Sequence, residues 1–128
     1  MGSKLIRRIS VALLVIWTME MFFLLFTKHT PGKSFFQFEH ADKVAHFGLF
    51  GGWSFLFYFG VAQYFNRKIL WAIVVSFLFA ISTEIVQYFI PHRDAEWLDG
   101  LADMVGSTVG VLFAIFIKKE LFRMGKEF

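Results

Sequence analysis

The sequence predicts an all-α fold, a polytopic membrane bundle of four transmembrane helices with both N- and C-termini cytoplasmic, and three observations carry that expectation. The chain of 128 residues is 57% hydrophobic and 20% aromatic against 18% charged, with a mean hydropathy of +0.59. Soluble domains average about 45–50% apolar and about 25% charged residues, so both values lie toward a lipid-exposed chain. Nineteen residues are Phe, more than a small aqueous core can cover, which excludes a soluble globular domain and intrinsic disorder alike. Four apolar runs of 17 to 22 residues divide the sequence; each covers a hydrocarbon core of roughly 30 Å at about 1.5 Å per residue. Residues 1–128 are expected to form a single membrane domain with short connections and no extramembrane domain.

The first span is expected over about residues 9–26. Lys4, Arg7 and Arg8 precede it as in a signal peptide, but no small-x-small cleavage site follows and the run continues through Met-Glu-Met into Phe and Leu. An uncleaved span is the better reading. The second covers 44–62, and the third covers 69–90, closed by Pro91, because the residue before a proline is disfavoured in helical backbone. The fourth covers 101–117, and the trailing KKELFRMGKEF is expected to lie as a short interfacial helix. Helices are the sensible form for runs this apolar, since a backbone in lipid must satisfy its own hydrogen bonds. Barrel strands would need alternating polarity over about 10 residues, and none is visible.

Orientation follows from the basic residues. Lys4, Arg7, Arg8, Arg67, Lys68, Lys118, Lys119, Arg123 and Lys126, nine of the 13 Lys and Arg, fall on one side of a four-span topology. Positive residues favour the cytoplasmic side, so the loops 27–43 and 91–100 face outward. Lys28, Lys33 and Lys43 in the first outer loop weaken the bias without reversing it. Topology therefore accounts for the pI of about 9.3, and no nucleic-acid partner is expected. There is no Cys, which removes disulfides, thiolate metal sites and cysteine nucleophiles.

An ionisable residue inside a span is expensive, so each needs a reason. Glu20, His46, Glu84 with Gln87, and Asp103 lie within spans, with Asp42, Lys43, Arg93, Asp94 and Asp99 just outside. Glu20 and Glu84 sit about 9 Å below the outer ends of their spans, and His46 and Asp103 within about one turn of theirs. All of them therefore belong to one outer layer. Residues three or four apart share a helix face, so Asp42 with His46, Glu84 with Gln87, and Asp99 with Asp103 form pairs on three helices. Ala102, Gly106, Gly110 and Ala114, and Gly48 with Gly52, form small-residue stripes that let helices approach closely and turn the acids into the bundle.

Taken singly, these features have plain structural explanations. Glu20 has about even claims as a hydrogen-bonding partner of a neighbouring helix and as a functional group. Lys43 alone reads as a snorkelling anchor, His46 alone as an interfacial histidine, and the abundant Phe and Trp as lipid contact. Their coincidence at one depth favours a functional site. Clustered carboxylates in a low dielectric cannot all stay ionised without cations, which leaves pairing with Lys43 and Arg93, protonation, or a bound metal ion. Asp-x-x-x-His and Asp-x-x-x-Asp make Asp42, His46, Asp99 and Asp103 weak candidates for a divalent ion; no other cofactor is expected. No HExxH, nucleophile elbow, phosphate loop or dinucleotide fingerprint occurs. Ser82, Thr83 and Ser107 read as hydroxyls bonded to backbone rather than nucleophiles.

These residues resemble the VanZ-like family of small bacterial integral membrane proteins, named for a member associated with resistance to the glycopeptide teicoplanin. DKVAHFGLFG fits the family's Asp-Lys-x-x-His-Phe through Asp42, Lys43, His46 and Phe47. STEIVQYFIPHRDAEWLDGLADMVGSTVG fits its Glu-x-x-Gln through Glu84 and Gln87, its loop arginine through Arg93 and its aspartate through Asp99. Where the family usually has Asn-x-x-Gly, this chain has Asp103 and Gly106. The resemblance implies work on the cell envelope from the bacterial cytoplasmic (inner) membrane. With the outer polar layer, it leads to the expectation of binding or action on a lipid-linked or head-group envelope component. Asp42, Lys43, Gln87 and Arg93 are the substrate-binding candidates, and His46, Glu84, Asp99 and Asp103 the catalytic ones. Membrane lipid is the expected partner, and a non-enzymatic subunit of a larger envelope membrane complex is the alternative. Ion transport ranks lower, because no ionisable relay continues into the inner half.

Overall fold

The computed structural model describes residues 3–26, 41–90 and 97–125. They form four helices, α1 (Ser3–Phe26), α2 (Ala41–Gly60), α3 (Lys68–Tyr88) and α4 (Trp97–Arg123), with a 3-10 turn at Ala62–Tyr64 and no strand among the described residues. All four helices are long and apolar enough to cross a membrane. At 1.5 Å per residue they run about 30 to 40 Å.

The boundaries differ from the sequence expectation: α1, α2 and α4 begin at Ser3, Ala41 and Trp97 rather than at about 9, 44 and 101, α2 ends at Gly60 rather than 62, and the ends of α3 and α4 differ for local reasons. Helix α3 ends at Tyr88 rather than Ile90, because the amides of Phe89 and Ile90 close tighter i→i+3 bonds to Val86 and Gln87 before Pro91 is reached. The trailing KKELFR is not a separate interfacial helix but the last turns of α4. Lys, Glu, Leu and Arg are good helix formers, and nothing interrupts them before Gly125. There a positive φ of 78° ends the helix, with the Gly125 amide bonded to the Phe122 carbonyl at 3.0 Å.

Helix α2 is central, packed on α4, α1 and α3, and α4 also packs on α3. With the chain running alternately up and down, α2 and α4 are parallel neighbours, and glycine decides how close they come. A Cβ on Gly106 would collide with the carbonyl of Phe47, and one on Gly110 with the carbonyl of Gly51 and the hydroxyl of Ser54. The two backbones are thus in direct contact, as small residues at membrane helix interfaces permit. Ser54 Oγ adds a hydrogen bond across the seam to the Ser107 carbonyl at 2.8 Å. On the other flank, Gly52 makes room for the ring of Trp17 on α1. Trp17 Nε1 donates to the Leu49 carbonyl at 2.8 Å, and Trp53 Nε1 donates to Thr18 Oγ1 at 2.9 Å. Burying an indole with its N–H satisfied gives large apolar contact without a stranded donor.

The interior mixes aromatic side chains on α2 with aliphatic ones from all four helices. Trp53 packs between Phe57 and Phe79, at centroid distances of 5.0 and 4.7 Å, and Phe50 meets Phe79 at 5.4 Å. Outward faces carry exposed Leu13, Ile16 and Phe23 on α1, Leu78 and Ile85 on α3, and Leu112 and Phe116 on α4. In water these would be a severe liability; around a bundle in a bilayer they are the lipid contact. At one end the start of α1, the 3-10 turn, the start of α3 and the end of α4 come together. There Lys118 Nζ bonds Gln63 Oε1 at 2.8 Å and Arg7 lies over the Tyr64 ring. Of the basic residues expected to share one side, those from Lys4 to Arg123 share one end of the bundle, and Lys126 lies outside the described residues.

Candidate functional site

The opposite end gathers the polar residues. His46 lies in the second turn of α2, Asp99 and Asp103 one turn apart at the start of α4, and Glu84 in the last two turns of α3. The glycine seam sets their approach: Gly106 rests on the carbonyl of Phe47, so the residue before Phe47 and the residue three before Gly106 are held at one level. His46 Nδ1 accordingly lies 2.7 Å from Asp103 Oδ1. Glu84 Oε1 is 4.0 Å from the same nitrogen, and Lys43 Nζ is 3.7 Å from Asp99 Oδ1. His46, Asp99 and Asp103 are almost wholly enclosed, at 1%, 3% and 0% exposure, whereas the Glu84 and Lys43 side chains retain 17% and 26%.

This arrangement has definite chemical properties. With Asp103 ionised, Nδ1–H of His46 donates to it, which fixes the ring's orientation and leaves the Nε2 lone pair as the basic position. Three carboxylates and an imidazole in a dry setting need compensating positive charge, and the ammonium of Lys43 supplies one such group. His46, Glu84 and Asp99 each offer a ligand atom, all within 4.8 Å of one another. Imidazole with two carboxylates is a donor set suited to a divalent ion. Of the metal candidates read from spacing, His46 and Asp99 belong to this group and Glu84 joins them. Asp103 instead bonds His46, as an orienting carboxylate would. The Asp42 side chain and Arg93 lie outside the described residues.

Other residues take different places. Gln87 is buried and donates from Nε2 to the Leu25 carbonyl at 3.0 Å. Leu25 lies in the last turn of α1, where carbonyls lack an intrahelical donor, so Gln87 ties α3 to α1. Glu20 is exposed on the outer face of α1 beside Met19, Phe23 and Leu24, rather than turned into the polar layer. Ser107, one turn beyond Asp103, is buried with no hydrogen-bond partner for its hydroxyl among the described residues. Spacing alone did not single out Gly51 and Ser54, which seat α4 and thereby position His46. A small residue followed three positions later by a hydroxyl is the signal that marks them.

Four membrane-crossing helices closed at one end by a buried histidine–carboxylate cluster define a multi-pass membrane protein. The family model described as VanZ/LLP1 matches residues 4–118, and the chain belongs to that family. The match takes in α1 as well as the motif-bearing helices. No curated protein and no solved structure matches the chain.

Proposed function

We propose that this VanZ-family membrane protein binds and acts on the polar head of a lipid-linked component of the bacterial cell envelope. It does so from the cytoplasmic membrane, with its histidine–carboxylate end facing outward and both termini in the cytoplasm. The observation that supports this most is the convergence of Lys43, His46, Glu84, Asp99 and Asp103 from three helices at one end. Lys43, with Arg93 from the adjoining loop, supplies cations for a phosphate or carboxylate. His46, held by Asp103, supplies a base at Nε2, and Glu84 an acid or hydrogen-bond acceptor. A second reading, favoured by the ligand atoms of His46, Glu84 and Asp99 within 4.8 Å of one another, adds a divalent ion that would bridge such a head group to the protein.

The test is teicoplanin susceptibility of bacteria expressing the protein, with its membrane accumulation measured in parallel. The wild type is expected to raise resistance, and His46→Ala and Lys43→Ala to return it to the level of cells without the protein while still accumulating. Wild-type resistance in both variants overturns the proposal. A stoichiometric partner on purification, with Glu84→Ala and Asp99→Ala merely lowering accumulation, replaces it with the accessory-subunit reading.

A further inference from the structure

The end of the bundle remote from the polar cluster carries two cavities that meet at Lys68 and Lys118. The larger, about 770 Å³, is lined by the cations Arg67, Lys68, Lys118 and Lys119, with an apolar wall that includes Ile115 and Phe122. The smaller, about 80 Å³, adds Arg7, together with Ser3 and Gln63. Five cationic side chains thus face the two spaces, and neither lining contains a carboxylate among the described residues. Glu120 is close in sequence but is paired with Arg123 at 2.8 Å.

Positive residues at a membrane helix end are commonplace as topology signals, but that role requires only their number and side. Here their placement is specific. Lys118 is half-buried, hydrogen-bonded to Gln63 Oε1 at 2.8 Å and held 5.7 Å from the centre of the Tyr58 ring. Arg7, also half-buried, is steered by Ser3 Oγ at 3.4 Å and the Tyr64 ring. Like charges brought together in a partly dry space repel one another more strongly than in water, unless an anion lies between them. The cavity volume falls in the range of about 300–1,000 Å³ typical of small-ligand sites. Exposed Ile69 and Leu70 continue its apolar wall toward the lipid face.

We propose that this cavity is a binding site for an anionic phospholipid of the leaflet at that end. Its phosphate is held by Lys68 and Lys118, with Arg67 and Lys119 at the rim, and its acyl chains lie along Ile69, Leu70 and Phe122. A cluster of cations between helices beside an apolar wall has the chemistry such head groups require. A free phosphate would satisfy the cations but leave the apolar wall unused.

The test is native mass spectrometry of the full chain in detergent, titrated with phosphatidylglycerol, phosphatidylcholine or glycerol 3-phosphate. The wild type is expected to retain phosphatidylglycerol at least about tenfold more tightly than phosphatidylcholine, the loss of one strong charge-assisted contact being worth roughly that factor. The double variant Lys68→Gln, Lys118→Gln should lose that preference. Lys118→Arg, which keeps the charge, should preserve it and shows that the fold tolerates change at the site. Lys4→Gln, a charge removed at the same end but lining neither cavity, should also preserve it. Equal retention of the two lipids, an equal loss in Lys4→Gln, or competition by glycerol 3-phosphate at matching concentration overturns the assignment.

Discussion

His46 is the residue on which the polar end turns. Its ring is enclosed, its Nδ1 lies 2.7 Å from Asp103, and Glu84 and Asp99 stand within ligand distance. A carboxylate behind an imidazole fixes its aim, as in many metal and acid–base sites. The metal reading has a direct consequence at this scale. Protein purified without chelator should carry a divalent metal by elemental analysis, Glu84→Gln and Asp99→Asn should remove it, and Asp103→Asn should lower its affinity by roughly 10- to 100-fold, the usual cost of losing an outer partner. Wild-type protein without metal overturns the metal reading. The depth of these side chains was legible in the sequence, because a helix rises a fixed distance per residue and counting from a span's end locates any member. Their azimuth was not always legible. Glu20 lies at the expected depth but on the outer face of α1, since no partner beside it in the chain fixes the rotation of that helix about its axis.

Among the elements, the parallel pair α2 and α4 carries the architecture. Gly106 and Gly110 touch backbone atoms of α2, which cannot move aside as a flexible side chain would. Gly106→Ala or Gly110→Ala should therefore cost at least about 1–3 kcal/mol, the usual penalty of overpacking, and lower the melting temperature in detergent by several degrees. Gly48→Ala is the control: its added methyl meets nothing within 4 Å, and alanine is the better helix former by about 0.5–1 kcal/mol, so the melting temperature should hold or rise. The four spans and the α4 stripe could be read from hydropathy and four-residue spacing. Gly51 could not, because α2 offers Gly48, Gly51 and Gly52 together. Only the packing decides that Gly51 faces α4, Gly52 faces Trp17 and Gly48 faces out. The end of α4 was hidden for a related reason: amphipathic composition after Ile117 suits both an interfacial helix and a continued span, and continuity of good helix formers decides for the latter.

At the scale of the whole molecule, the bundle is chemically polarised among the described residues, with His46 and carboxylates beside Lys43 at one end, most of the lysines and arginines at the other, and an interior of aromatic and aliphatic side chains between. That asymmetry predicts a single orientation. Reporter fusions placed before Ser3 and after Arg123 should both respond as cytoplasmic, and one inserted between α1 and α2 as external; the reverse result would turn the polar cluster inward and remove the envelope reading. The closeness of α2 and α4 also bears on biosynthesis. His46 and Asp103 are 57 positions apart in the chain, and at about 5–20 residues per second the partner follows only after several seconds. During that interval α2 is in the membrane with its imidazole and its seam of Gly51 and Ser54 uncovered. When α4 follows, it both closes the seam and neutralises the cost of a polar group already committed to lipid. A chain interrupted before α4 is therefore a natural substrate for membrane quality control.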